Sequence, residues 1–181
     1  MALPALDRLT RNKKWRTQML GSNVARAGLL LLAALCIPSA TTQAAVLSPF
    51  AAMAGSWSGG GVLNTTDGNQ ERLRCRASYD VDGTGEALRL NLRCASESYN
   101  FDLASEVEYR GGAISGQWSE ASRNASGTIS GRAAGDRIEA AARGDNFSAG
   151  LSLTTRGNRQ TVSIRPQGTN ITAVSLEMAR R

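Results

Sequence analysis

A chain of 181 residues without a single histidine is closed to Ser-His-Asp and Cys-His nucleophile systems, to His-ligated haem and to His-rich zinc sites. Its formal charge of +6 averages two unlike parts: residues 1–44 hold six Lys and Arg against Asp7, and the remainder holds 15 Arg, no Lys and 14 acidic residues. A body so close to neutral gives no electrostatic reason to expect nucleic-acid binding.

Residues 1–28 are basic, and residues 29–37 form an apolar run (LLLLAALCI) too short to span a bilayer. That is the layout of a secretory signal peptide. Thr42 and Ala44 place small residues at the −3 and −1 positions of a cleavage site after Ala44, whether Met1 or Met19 starts the chain. Cys36 follows Leu35, where a bacterial lipoprotein signal carries a small residue. The expected division is a signal peptide over 1–44, a lead-in over 45–54 that turns helical around Phe50 to Met53, and a β-barrel domain over 55–181. The expected location is periplasmic or secreted, in a bacterium. Past the leader, Cys75 and Cys94 make an even pair without a CxxC spacing, as suits an oxidised exported domain.

From Gly55 onward, turn signals recur near Gly68, Gly83, Glu97, Gly111, Ser122, Gly135, Asp145, Gly157 and Gly168, 10 to 15 residues apart. No helical period persists between them. Apolar and polar residues alternate instead: Tyr99, Phe101, Leu103, Val107 and Tyr109 against Asp102, Glu106 and Glu108; Ile114, Gly116 and Trp118 in phase; Phe147, Ala149, Leu151 and Leu153 against Ser148, Gly150 and Ser152. Short alternating strands at regular spacing, with no helix to cover them, predict an all-β antiparallel meander of about 8–10 strands closed into a barrel. Pro166 must end a strand or face an edge. Ile171 is out of phase with Val174, Leu176 and Met178, which predicts a bulge or a late strand start.

The most informative stretch is residues 73–94, LRCRASYDVDGTGEALRLNLRC. Leu73, Cys75, Ala77, Tyr79 and Val81 are in phase. The phase inverts across Asp82-Gly83-Thr84-Gly85, after which Leu88, Leu90, Leu92 and Cys94 share a face. This is a β-hairpin. A Cys75–Cys94 disulfide sets the same register as the turn. It places Asp80 opposite Arg89, Arg72 opposite Glu97, and Arg76 opposite Arg93.

Gly55-Ser56-Trp57 at the start of the meander resembles the G-x-W signature of the calycin superfamily of lipocalins, fatty-acid-binding proteins and avidins. The resemblance implies that Trp57 plugs one end of the barrel beneath a late basic residue, either Arg165 or Arg180. The glycines after Trp57 are similar to the nitrobindin-like branch, whose haem ligand is a histidine that this chain lacks. A third comparison is with small periplasmic metalloprotease inhibitors, which have a G-x-W barrel, one disulfide and a free N-terminal arm, here Ala45-Val46-Leu47-Ser48-Pro49.

Three sets of residues are candidates for function. Inside, large residues on one wall (Tyr99, Phe101, Tyr109, Trp118) face small ones on the other (Gly116, Ala125, Gly127, Gly131, Ala140, Ala142, Ala149). That leaves either room for an apolar ligand, with Tyr79, Tyr99 and Tyr109 supplying hydroxyls, or a collapsed barrel. Outside, Arg74, Arg76 and Arg93, with Arg72 and Arg89, form a stripe for an anionic envelope component or protein partner, unless Asp102 and Glu106 screen it. Cys75 and Cys94 are structural. An enzyme working with Asp or Glu alone needs a carboxyl on the inner face, and the inner positions named above carry none. The expected function is therefore a non-enzymatic binder of a small apolar or lipid-like ligand, without metal or cofactor. The alternative is a protein-interaction module using the arginine face.

Overall fold

The computed structural model describes residues 48–181; the expected signal peptide, Cys36 and most of the expected N-terminal arm lie outside the described residues. Ten strands follow one another: β1 Gly55–Thr65, β2 Gln70–Val81, β3 Ala87–Ala95, β4 Asn100–Arg110, β5 Ala113–Glu120, β6 Ala125–Ala134, β7 Arg137–Gly144, β8 Ser148–Arg156, β9 Arg159–Gln167 and β10 Ile171–Arg180. Each pairs antiparallel with its neighbours in sequence, and β1 pairs with β10, so the meander is a closed barrel. Closure satisfies every edge, which is how a chain of ten alternating strands buries one face without a covering helix.

The hairpin β2–β3 has the expected register: Cys75 faces Cys94, Arg76 faces Arg93 and Asp80 faces Arg89. The disulfide joins Cys75 to Cys94 with 4.1 Å between Cα atoms. Its turn is held by the Asp82 carboxylate, which accepts from the Thr84 hydroxyl (2.7 Å) and the amides of Glu86 (2.9 Å) and Ala87 (3.1 Å). These bonds, that from Thr84 foremost, hold the Asp82 carboxyl below its ordinary range. Gly85 closes the turn at φ 76°, where a side chain would be strained.

The out-of-phase Ile171 is explained by a register shift: Asn64 pairs with Ala173 and Thr65 with Ile171, leaving Thr172 as a bulge. Pro166 lies one residue from the end of β9, beyond Ile164, the last β9 residue paired with β10. On its other side Pro166 pairs with Ala149, one position from the end of the β8–β9 ladder, so it lies near a strand end and not at an edge. The glycines of β1 allow close strand approach. A Cβ on Gly59 would sit 2.7 Å from Met178 Cα, and one on Gly60 2.6 Å from Leu73 O.

One end of the barrel is sealed. Trp57 is 1 % exposed; its Nε1 donates to Met53 O at 2.7 Å, and the Arg180 guanidinium lies 4.5 Å above its ring. Arg180 also donates to the carbonyls of Ala52 (2.5 Å) and Ala54. Arg180, not Arg165, is thus the basic residue over the plug. The described part of the lead-in, residues 48–54, forms a turn and not a helix: Met53 N–H returns to Phe50 O (2.8 Å), which folds Phe50 and Met53 into the core. Burial of this size makes Trp57→Ala cost roughly 3–5 kcal/mol.

Candidate functional site

The interior divides into two halves. At the sealed end Trp57, Tyr79, Leu88, Tyr109, Ile114, Ile138 and Met178 are buried. Beyond it the inward phase includes Leu90, Leu92, Phe101, Leu103, Ile129, Leu151 and Ile164, which are only half-buried, alongside Leu63, Leu73, Cys94, Ile171 and Val174, which are buried. Inward side chains of a closed barrel become accessible where the filling is incomplete or where the mouth is open.

The five aromatic residues proposed to bind ligand separate accordingly. Tyr79 and Tyr109 stand at the sealed end, edge-on to Trp57 (6.4 Å) and Phe50 (6.1 Å). Tyr79 OH donates to Gln160 Oε1 at 2.7 Å, and Gln160 Nε2 donates to Thr155 Oγ1 at 3.1 Å. Burial pushes the Tyr79 phenol well above its ordinary pKa, and the bond to Gln160 only partly offsets this. Its hydroxyl is committed within the core. Tyr99, Phe101 and Trp118 share the far half. Tyr99 stacks on Phe101 (6.2 Å) and its hydroxyl accepts from Asn170 Nδ2 at 2.7 Å. The Arg123 guanidinium covers Phe101 at 4.7 Å. The wall of small residues is partly taken up by Trp118, because a Cβ on Gly144 would meet its ring at 3.1 Å. Trp118 packs edge-on to Phe147 at 5.4 Å. Its Nε1, alone among buried side-chain nitrogens and oxygens of the described residues, has no partner.

Gln160, Thr155, Ser105 and Glu120 are buried polar residues that the sequence reading passed over. Each continues the inward phase of its strand, Gln160 with Val162 and Ile164, Glu120 with Ile114 and Trp118, so the signal was present. Glu120 corrects the expectation of an inner face without carboxyls. It is no free acid or base. Its oxygens accept from the amides of Asp102 (2.8 Å), Ser122 (3.2 Å) and Arg123 (2.9 Å). Burial acts to raise its pKa, but these donors and Arg123 outweigh it, so the carboxyl lies below its ordinary range. It ties β4 to the β5–β6 turn. Among the described residues no group of three His, Cys, Asp or Glu is placed to hold a metal.

On the outside, the arginine stripe is half screened. Arg93 pairs with Asp102 at 3.2 Å and Arg89 with Glu106 at 3.1 Å. Arg72 and Glu97 border one shallow groove, beyond the last paired residues of the hairpin. Arg74, Arg76 and Arg93 border another of about 840 Å³.

No protein-family model matches the chain, and no curated protein matches it. Two solved structures share its architecture. Rv2717c from M. tuberculosis aligns over 76% of this chain and 98% of its own, with a TM-score of 0.61 at 14% identity. The S-type phycobiliprotein lyase CPES from Guillardia theta aligns over 73% of this chain and 90% of its own, with a TM-score of 0.56 at 11% identity. Similarity at this level concerns the fold alone: the chain is a ten-stranded antiparallel barrel with structural neighbours of lipocalin-like fold.

Proposed function

We propose that this is a non-enzymatic binding protein of calycin type, acting outside the cytoplasm, that takes a small apolar or lipid-like molecule into the far half of its barrel. The observation that carries the reading is a set of inward apolar residues that the core fills incompletely. Leu92, Phe101, Leu103, Leu151 and Ile164 point inward and stay half-buried, although Leu63, Leu73, Cys94, Ile171 and Val174 beyond the plugged end are buried as fully as the residues around Trp57. Such a lining binds by removing apolar surface from water, at about 25 cal/mol per Å². The unpartnered Trp118 N–H lies in the same half. It favours a ligand bearing a carbonyl or carboxyl oxygen, since pairing a buried donor recovers the cost of leaving it alone. The Cys75–Cys94 disulfide is compatible with an oxidising compartment and supports export.

Native mass spectrometry of protein purified from its own cell envelope tests the reading. A bound mass that extracts into organic solvent is the expected result. Protein that arrives empty, and stays empty when incubated with long-chain fatty acids, refutes it.

A further inference from the structure

Four strands bring one row of outward side chains together: Ser58 on β1 faces Arg76 on β2, Arg76 faces Arg93 on β3, and Arg93 faces Asp102 on β4. Arg74 stands beside the row, and Arg181 reaches it through its Nε, which donates to Ser58 Oγ at 2.8 Å. Together they border the groove of about 840 Å³, with Asn100 at its rim. Four guanidiniums meet a single lining carboxylate, Asp102, and that carboxylate is engaged by Arg93. Among the described residues, Arg74, Arg76 and Arg181 have no ion-pair partner.

The same sheet shows how the chain arranges charge elsewhere. The parallel row Asp80, Arg89, Glu106 alternates in sign. In the groove two arginines face each other directly, an arrangement that destabilises a sheet. Directly paired positions lie about 4.5–5.5 Å apart, so two guanidinium forks can close on one tetrahedral anion. Arg presents that fork bidentately to phosphate. Ser58, and Gly60 two residues on, are the outward residues of β1 here and leave the arginine heads open on that side.

We propose that this groove is a phosphate-binding site, taking the phosphate of a small ester or of a lipid headgroup between Arg76 and Arg93, with Arg74 and Arg181 as flanking cations. The anion removes the like-charge opposition that the bare hairpin carries. The site lies outside the barrel and does not depend on anything being bound within.

The test titrates inorganic phosphate into the oxidised protein against chloride at matched ionic strength, and in parallel sediments it with phosphatidylglycerol and phosphatidylcholine vesicles. Expected are saturable shifts of the Ser58, Arg76 and Arg93 amide resonances in the first arm, or sedimentation with phosphatidylglycerol only in the second; the stronger arm identifies the source. The variant R76S/R93S weakens the response about tenfold or more, the loss of charge-assisted hydrogen bonds. Its melting temperature in phosphate-free buffer stays close to that of wild type, because the Arg76–Arg93 repulsion and the exposed Arg93–Asp102 pair are removed together. R76K/R93K keeps the charge and also weakens binding, because it lacks the fork. R132S, on the opposite wall, changes nothing. The proposal is overturned if wild type responds in neither arm, or if R76S/R93S responds as wild type does. Fatty-acid binding by R76S/R93S, measured alongside, keeps this outcome separate from that of the interior reading.

Discussion

Replacing Gln160 by Leu probes a polar chain within the sealed core. Gln160 is 1 % exposed and joins Tyr79 to Thr155 by bonds of 2.7 and 3.1 Å. Leucine has a similar volume, so little cavity forms. The Tyr79 hydroxyl loses its acceptor inside the core, a cost of about 1–3 kcal/mol, and the Thr155 bond adds about 1 kcal/mol. Relief from desolvating the amide offsets part of this, so the net loss is roughly 2–3 kcal/mol. Tyr79→Phe leaves Gln160 Oε1 unpaired and costs about 1–2 kcal/mol. In Y79F/Q160L neither orphan exists, so the double variant loses about 1–2 kcal/mol less than the two single losses combined. Urea unfolding of the four proteins measures the cycle. Alkali supplies a second readout. Because burial raises the Tyr79 pKa above its ordinary 10.0, the unfolded chain sheds that proton first. Stability is therefore intact below pH 10 and falls by about 1.4 kcal/mol per pH unit above it, until the folded-state pKa is reached. Y79F lacks that fall. Additivity within about 0.5 kcal/mol, or equal alkaline limbs in wild type and Y79F, refutes the reasoning.

Other substitutions test the frame around the site. Cys75 and Cys94 are 19 residues apart in sequence, for which the chain-entropy relation gives about 3 kcal/mol; C75A/C94A should lose that much in urea, with an unchanged fold by circular dichroism. Gly59→Ala drives a methyl group against Met178 Cα and Glu177 O and should cost about 1–3 kcal/mol, whereas Gly150→Ala, facing open space, should cost little. Arg180→Ala removes the cover of Trp57 and the ties to Ala52 and Ala54; Trp57 emission should shift to the red and the amides of the lead-in should exchange faster. Glu120, with its pKa lowered in the fold, contributes stability above its unfolded pKa and loses it as pH falls through the folded one. E120Q should flatten that acid limb of the stability profile.

The barrel was legible because period-2 alternation and turn chemistry are local. Residues 73–94 carried their own register, and all nine turn positions separate strands in the structure. Even the Ile171 bulge showed as a break of phase. Closure was legible only by implication, from ten strands with one apolar face and no helix. The choice between Arg165 and Arg180 was not legible at all, since it depends on where the end of β10 meets the start of β1. The interior was the harder part. Gly127 read as part of an empty wall, yet Trp118 of β5 pairs opposite it and packs against Gly144, a residue that the reading did not include. Gln160 and Glu120 were in phase with apolar neighbours. A reading that sorts residues into apolar and polar faces passes over them, because their burial depends on partners far along the chain, such as Tyr79 in β2 and Asp102 in β4.

The central claim, that ligand enters the far half and stops short of the plug, is tested most directly by contact quenching of tryptophan. Past residue 44 the chain has two tryptophans, Trp57 in the sealed end and Trp118 in the far half. A long-chain fatty acid brominated along its tail is titrated into wild type, W57F and W118F. The account predicts saturable quenching in wild type and W57F and almost none in W118F. Quenching of Trp57 equal to that of Trp118, or no saturable quenching of either, would contradict it.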